Sequence, residues 1–186
     1  MVNQTDSQTV FASKNTIDTH QLSLTRWLKH VFCFKSSKRL LNAAQCQQIA
    51  TAIAAAENGH RGEIQIIIEG SLPSLIALDT NVRQRAEQLF AEYRVWDTEF
   101  NSGILIYINL CEKKLELVAD RGIHQAVHAT CWDEICQKML PYFKQQQYVD
   151  GLCFGIEQIG EKLATFYADN QADPKGNELS DLPKLL

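Results

Sequence analysis

Apolar and polar residues alternate along this chain with two different periods, and the switches between them mark out its elements. Residues 22–34 place Leu24, Trp27, Leu28, Val31 and Phe32 at helical spacing, with Arg26, Lys29 and His30 between them. That pattern predicts an amphipathic segment over residues 21–38, expected to pack its stripe on its own domain. An interfacial helix lying on a membrane is the lesser alternative. Residues 41–57 predict a second helix, opened by Asn42 and Gln45 in capping-box register and closed by Asn58 and Gly59. Glu63–Glu69 (EIQIIIE) is a β-branched run of strand length, apolar enough at its centre to be covered on both faces.

Residues 70–79 contain Pro73 and read as a loop, followed by a helix over 80–93 capped at Asp79 or Thr80. Two strands come next, 103–110 (GILIYINL) and 114–119 (KLELVA), separated only by Cys111, Glu112 and Lys113, hence an antiparallel hairpin. Helices over 132–143 and 148–167 end the folded part. In the second, Gly151, Gly155 and Gly160 leave room for a close neighbour. Residues 168–186 read as a polar tail and 1–20 as a disordered lead-in, leaving 39–167 as the domain. A strand–helix–strand unit makes the first two strands parallel, and the hairpin adds an antiparallel third. With helices on both faces, the expected fold is a three-layer α/β/α sandwich around a small mixed sheet.

Composition removes several function classes. Apolar residues make up 45% of the 186 and charged ones 22%, an ordinary globular balance. No apolar run approaches the ~18–20 residues needed to cross a bilayer. The first twenty residues have neither the basic start nor the apolar stretch of a signal peptide. The expected location is therefore cytoplasmic, with Cys33, Cys46, Cys111, Cys131, Cys136 and Cys153 as free thiols outside any C-x-x-C spacing. The net charge of −4 divides into +4 over residues 1–42 and −8 over the remainder. Such an acidic body speaks against nucleic acid as a partner. The phosphate-loop, dinucleotide and nucleophile-elbow motifs are absent.

The topology itself draws carboxylates together. Glu63 opens the first strand, Asp97, Glu99 and Asn101 precede the second, and Asp120 closes the third, so all lie along one edge of the sheet. Glu69 belongs to the opposite edge. Clustered carboxylates repel unless a cation or proton relieves them, and hard oxygen ligands suit Ca²⁺ or Mg²⁺. The expected metal ligands are Asp97, Glu99, Asp120 and Glu63; the alternative is that these acids cap turns. His124 and His128, four apart, form a weaker metal pair.

NSGILIY from Asn101, VADRGI from Val118, MLPYFK from Met139 and YVDGL from Tyr148 together resemble the TPM-domain family, named partly for a thylakoid-lumen acid phosphatase. The similarity runs in order over about residues 60–167. It looks like a short cytoplasmic bacterial branch without signal peptide or membrane anchor, and Ser102 stands where the family pattern has a second Asn. The resemblance implies an α/β/α sandwich, divalent-cation binding in some members and phosphatase activity proposed for some. Carried over by position, it points to Asp97, Glu99 and Asn101 before the hairpin and to Asp120, Arg121 and Gly122 after it. Two functions compete. One is a non-catalytic interaction module whose loops a weakly bound cation orders, with a LemA-type or membrane-anchored TPM protein as partner. The other is a metal-dependent acid phosphatase with Arg121 holding the anion. The first is preferred because no activated nucleophile is visible and fold does not carry chemistry with it.

Overall fold

The computed structural model describes residues 22–124, 127, 129–167 and 176–186. The expected disordered lead-in and the His124–His128 pairing lie outside the described residues. Elements follow in the order α1 (Leu24–Val31), a 3₁₀ turn (Ser37–Arg39), α2 (Ala43–Glu57), β1 (Glu63–Glu69), α3 (Ser74–Asp79), α4 (Val82–Glu92), β2 (Gly103–Asn109), β3 (Lys114–Ala119), α5 (Arg121–His124), α6 (Ala129–Lys144), α7 (Tyr148–Phe166) and β4 (Lys184–Leu185).

The strands lie side by side as β3-β2-β1-β4. β1 and β2 run parallel from Glu63 opposite Gly103 to Glu69 opposite Asn109, while β3 returns antiparallel to β2. Successive strand side chains point to opposite faces, and both faces are apolar here. Ile64, Ile66 and Ile68 with Ile104, Ile106 and Ile108 join the core formed with α2, α6 and α7. Ile67, Leu105 and Tyr107 face the other way, onto Val82, Ala86 and Leu89 of α4. The result is the expected α/β/α sandwich around a mixed sheet. The last helix uses its glycines as anticipated: a Cβ on Gly155 would lie 2.5 Å from Met139 and one on Gly160 would lie 2.9 Å from Ala56.

Three local expectations change. Residues 70–79 are not all loop, because Pro73 sits at the N-cap of α3, where its missing N–H costs nothing. Asn81, rather than Asp79 or Thr80, caps α4, in a full capping box with Gln84. The polar tail returns to the sheet: β4 pairs parallel with β1 at Ile67 and Ile68, and Gln65 Nε2 donates to the Ser180 carbonyl at 3.1 Å. An outer strand needs few apolar residues of its own, since its backbone groups are satisfied by the neighbouring strand.

Candidate functional site

The edge where β1 and β2 begin and β3 ends carries all seven residues singled out in the sequence. Gly122 sets its geometry, because a Cβ there would lie 2.5 Å from the Asn101 carbonyl oxygen and 2.9 Å from that of Phe100. The chain after β3 therefore packs directly on the loop before β2. Asn101 takes a left-handed backbone with φ 52°, and its Oδ1 accepts from Arg121 Nε at 3.2 Å and Nη2 at 3.1 Å. Asp120 is buried. Its Oδ1 accepts the Arg121 N–H at 2.6 Å, the start of α5, while Oδ2 is buried without a hydrogen-bond partner. Asn101, Asp120, Arg121 and Gly122 thus form one cluster.

The other three acids have separate surroundings. Glu63 is buried, and its Oε2 accepts the N–H groups of Leu179 at 3.1 Å and Glu178 at 3.3 Å, tying the tail to the strand start. Glu99 is exposed, and its backbone N–H donates to the Glu178 carboxylate at 2.9 Å. Asp97 is exposed and 4.0 Å from Arg94. Among the described residues no three His, Cys, Asp or Glu side chains come together as a group that could hold a metal.

Sequence reasoning missed Glu57 and His60, which border a cavity of about 270 Å³ with Glu63. Burial pushes the Glu57 carboxyl up to about 8, with Glu63 and Asp181 adding to the rise against the opposing hydrogen bond from the Ile64 N–H. Burial lowers the His60 imidazole, against the carbonyls of Ala56 and Gly160. Its Nδ1 accepts the Gly62 N–H at 3.0 Å. Glu57 closes a helix, so in sequence it reads as an ordinary solvated last-turn residue. Gly176 and Asn177 of the tail line the same cavity, and Asp181 adds its charge.

Glu69 lies on the opposite edge, as the strand order requires. Arg85 Nη2 donates to it at 3.0 Å and the Tyr107 hydroxyl at 2.6 Å, and Asn109 Nδ2 donates to that hydroxyl at 3.0 Å. All four side chains are buried, and each partner satisfies another. This network locks α4 onto the sheet.

Helix α1 overturns the expectation that its apolar stripe packs on the body. It is held through its polar side. His30 is buried, with Nδ1 accepting the Leu72 N–H at 3.0 Å and Nε2 3.2 Å from Glu112. Lys29 Nζ donates to Glu112 at 2.8 Å, and Arg26 Nε donates to the Ala77 carbonyl at 2.9 Å. Burial raises the Glu112 carboxyl, yet His30 and Lys29 outweigh it and hold the group at about 2. Most of the stripe faces water: Leu24 is 69%, Phe32 67% and Phe34 90% exposed, with Leu22, Leu28 and Val31 also exposed, while Trp27 is half-buried. Leu75 of α3, the helix that α1 packs against, is 83% exposed. The Ala77 and Leu78 carbonyls and the Leu72 N–H take their partners from Arg26, the Ser23 backbone and His30, which sets the polar side of α1 against the body.

All six cysteines are free, and no described helix is long and apolar enough to cross a membrane. A family model of the TPM domain matches residues 35–162. No curated protein matches the chain. Among solved structures, the chain is similar to the BA42 protein of the psychrophilic bacterium Bizionia argentinensis, solved by NMR. The two are 28% identical with a TM-score of 0.67, over 77% of this chain and 94% of that one. The N-terminal domain of a P. gingivalis protein, also solved by NMR, shares the fold at 19% identity and a TM-score of 0.58, over 73% of this chain and 82% of that one. Helix α1 precedes the matched segment and β4 follows it. With the matched segment spanning most of the chain and the sandwich built from the same elements, this protein belongs to the TPM-domain family.

Proposed function

We propose that the chain is a TPM-type protein-interaction module that docks through the outward face of α1. The observation carrying this reading is the exposed apolar surface made by Leu24, Leu28, Phe32, Phe34 and Leu75, held rigidly by the Glu112 clamp. Large apolar side chains exposed together on packed helices point to an interaction site. Covering it returns roughly 25 cal/mol per Å² of apolar area removed from water. Lys29, Lys35 and Lys38 are exposed around it, so the complementary partner is a protein surface with an apolar centre and an acidic rim. The acidic remainder of the chain repels that same surface elsewhere and so orients the encounter. A LemA-type or membrane-anchored TPM protein is the kind of partner the family resemblance suggests.

Placing a photo-crosslinking amino acid at Leu28 or Phe32 in cells of the source organism tests this. A discrete protein adduct is expected from both positions and none from Glu161 on α7. Adducts to lipid, with a blue shift of Trp27 fluorescence on anionic vesicles, would transfer the face to a membrane and sink the protein-partner reading.

A divalent cation belongs to this reading as a weakly held ion at the strand-start edge, and the buried, unpartnered Asp120 Oδ2 is the observation in its favour. Ca²⁺ or Mg²⁺ there, with Asp97, Glu99 and Glu63 as the other candidate ligands, would order the loops without turnover. At 100 times the dissociation constant it would stabilise the fold by about 2.7 kcal/mol. The expected outcome is a rise of several degrees in Tm with millimolar cation that disappears in Asp120→Asn. No rise in the wild-type protein rejects the cation. The phosphatase alternative has less support, since Arg121, the arginine beside this cluster, is engaged with Asn101.

A further inference from the structure

We infer that the protein carries a binding site for an organic diphosphate, in the cavity between the β2–β3 turn, the 3₁₀ turn and the α6–α7 junction. It stands apart from the strand-start cluster and borders the docking face only at Lys35, and it rests on neither reading. The cavity measures about 340 Å³. Four cationic side chains line it, and they come from three separate segments: Lys35 and Arg39, Lys113, and Lys144. Among the described residues no carboxylate lines it. In a chain with a net charge of −4, four like charges gathered around one cavity without a counter-charge repel one another, and an anion relieves them.

The charge count selects the anion. Lys35 Nζ already donates to the Leu110 carbonyl at 3.1 Å. Arg39, Lys113 and Lys144 have no ion-pair partner among the described residues. A single phosphate brings about −1.5 to −2 and leaves part of that charge unmatched, whereas two linked phosphates match it. The Arg39 guanidinium can bind phosphate with paired N–H donors, and lysines act as point charges around it. The Ser36 and Tyr148 hydroxyls on the wall supply neutral donors.

The wall is not wholly polar. Leu40 contributes apolar surface, backed by the buried Leu110 and Phe143, and the Phe143 and Tyr148 rings stack with centroids 5.8 Å apart. A ligand with an organic part beside its phosphates would cover that surface. The backbone is held in an uncommon shape around the cavity, with Lys113 at φ 53° and Gln146 at φ 62°, conformations that cost energy in non-glycine residues and concentrate at functional sites. The cavity also lies just beyond the carboxyl end of β2, where open α/β sheets bind ligands. With no carboxylate to act as acid or base on its described wall, the site is one of binding.

The test is titration of the full chain with inorganic pyrophosphate, ADP and orthophosphate at low salt, followed by amide NMR and calorimetry. Pyrophosphate is expected to shift amides of residues 35–40, 110–113 and 143–148, with ADP tighter and orthophosphate weaker, each by several-fold. The paired variant Arg39→Gln/Lys144→Gln is expected to weaken both diphosphates at least about tenfold, equivalent to about 1.4 kcal/mol, with an unchanged Tm. Removing equal charge elsewhere, in Arg94→Gln/Lys162→Gln, is expected to change affinity less than about twofold, as only diffuse attraction is lost. Equal weakening by the two paired variants, or shifts centred outside these segments, would overturn the site. Orthophosphate binding as tightly as pyrophosphate, or ADP no tighter than pyrophosphate, would overturn the organic-diphosphate assignment.

Discussion

Glu57 ends α2 with Oε1 2.6 Å from the Ile64 N–H and its carboxyl raised to about 8 by burial. An unfolded glutamate near 4.5 has lost its proton where the folded one still holds it. The folded form therefore binds more protons between pH 4.5 and 8, and stability falls as pH rises through that window, at up to about 1.4 kcal/mol per pH unit. Glu116, raised by burial to about 7 against the charge of Arg83, adds to the decline over the lower part of the window. Glu57→Gln keeps an acceptor for Ile64 and removes the charge. Its denaturation midpoint should exceed that of the wild-type protein at pH 8.5 and fall less steeply from pH 5 upward. Parallel pH profiles for the two proteins would show that Glu57 ionises normally. None of this was readable from residue 57 alone, because Ile64, Glu63 and Asp181, which shape its surroundings, lie elsewhere in the chain. Likewise, Asp120 was legible as the end of a strand, but its half-satisfied carboxylate was not.

At the scale of elements, α1 shows a pattern whose period was read correctly and whose direction was not. Spacing distinguishes an apolar face from a polar one, but it does not say which face meets the body. Here Glu112 decides it, gripping Lys29 and His30 from the β2–β3 turn. Because the Glu112 carboxyl is held at about 2, below its unfolded value of 4.5, this clamp contributes fully above pH 4.5 and is lost as pH falls toward 2. Glu112→Ala should remove the carboxylate 3.2 Å from the buried His30 Nε2, which makes no aligned hydrogen bond, together with the Lys29 contact, at a cost of about 1–3 kcal/mol. Amide exchange over residues 24–31 should then accelerate about 5–150-fold while β1 and β2 exchange as before. Unchanged protection in α1 would mean that Arg26 and Ser23 hold the helix by themselves. The capping boxes of α2 and α4 differ in legibility for a simpler reason. Asn42 has no rival cap nearby, whereas Asp79 and Thr80 compete with Asn81, and only the backbone path chooses among them.

Across the whole molecule, the order of the main helices and of the first three strands, the parallel pairing of β1 with β2, the hairpin and the two-sided core were all determined by sequence. Period-2 strands with apolar residues on both faces can be satisfied only between two helical layers, and a three-residue connection permits only an antiparallel return. The shared edge of Glu63, Asn101 and Asp120 followed from those directions. Tertiary structure decided the rest. The tail reads as polar because a strand on the sheet edge is stabilised mainly by backbone hydrogen bonds, which leave little trace in side-chain pattern. Its return adds β4, caps Glu63 and brings the Asp181 charge toward Glu57. The four cations of the basic cavity are scattered from residue 35 to residue 144 and fall on no common period. Local preference and periodicity act over a few residues, so they specify elements. Groups brought together by chain return are specified only when the sheet and its helices close around one another.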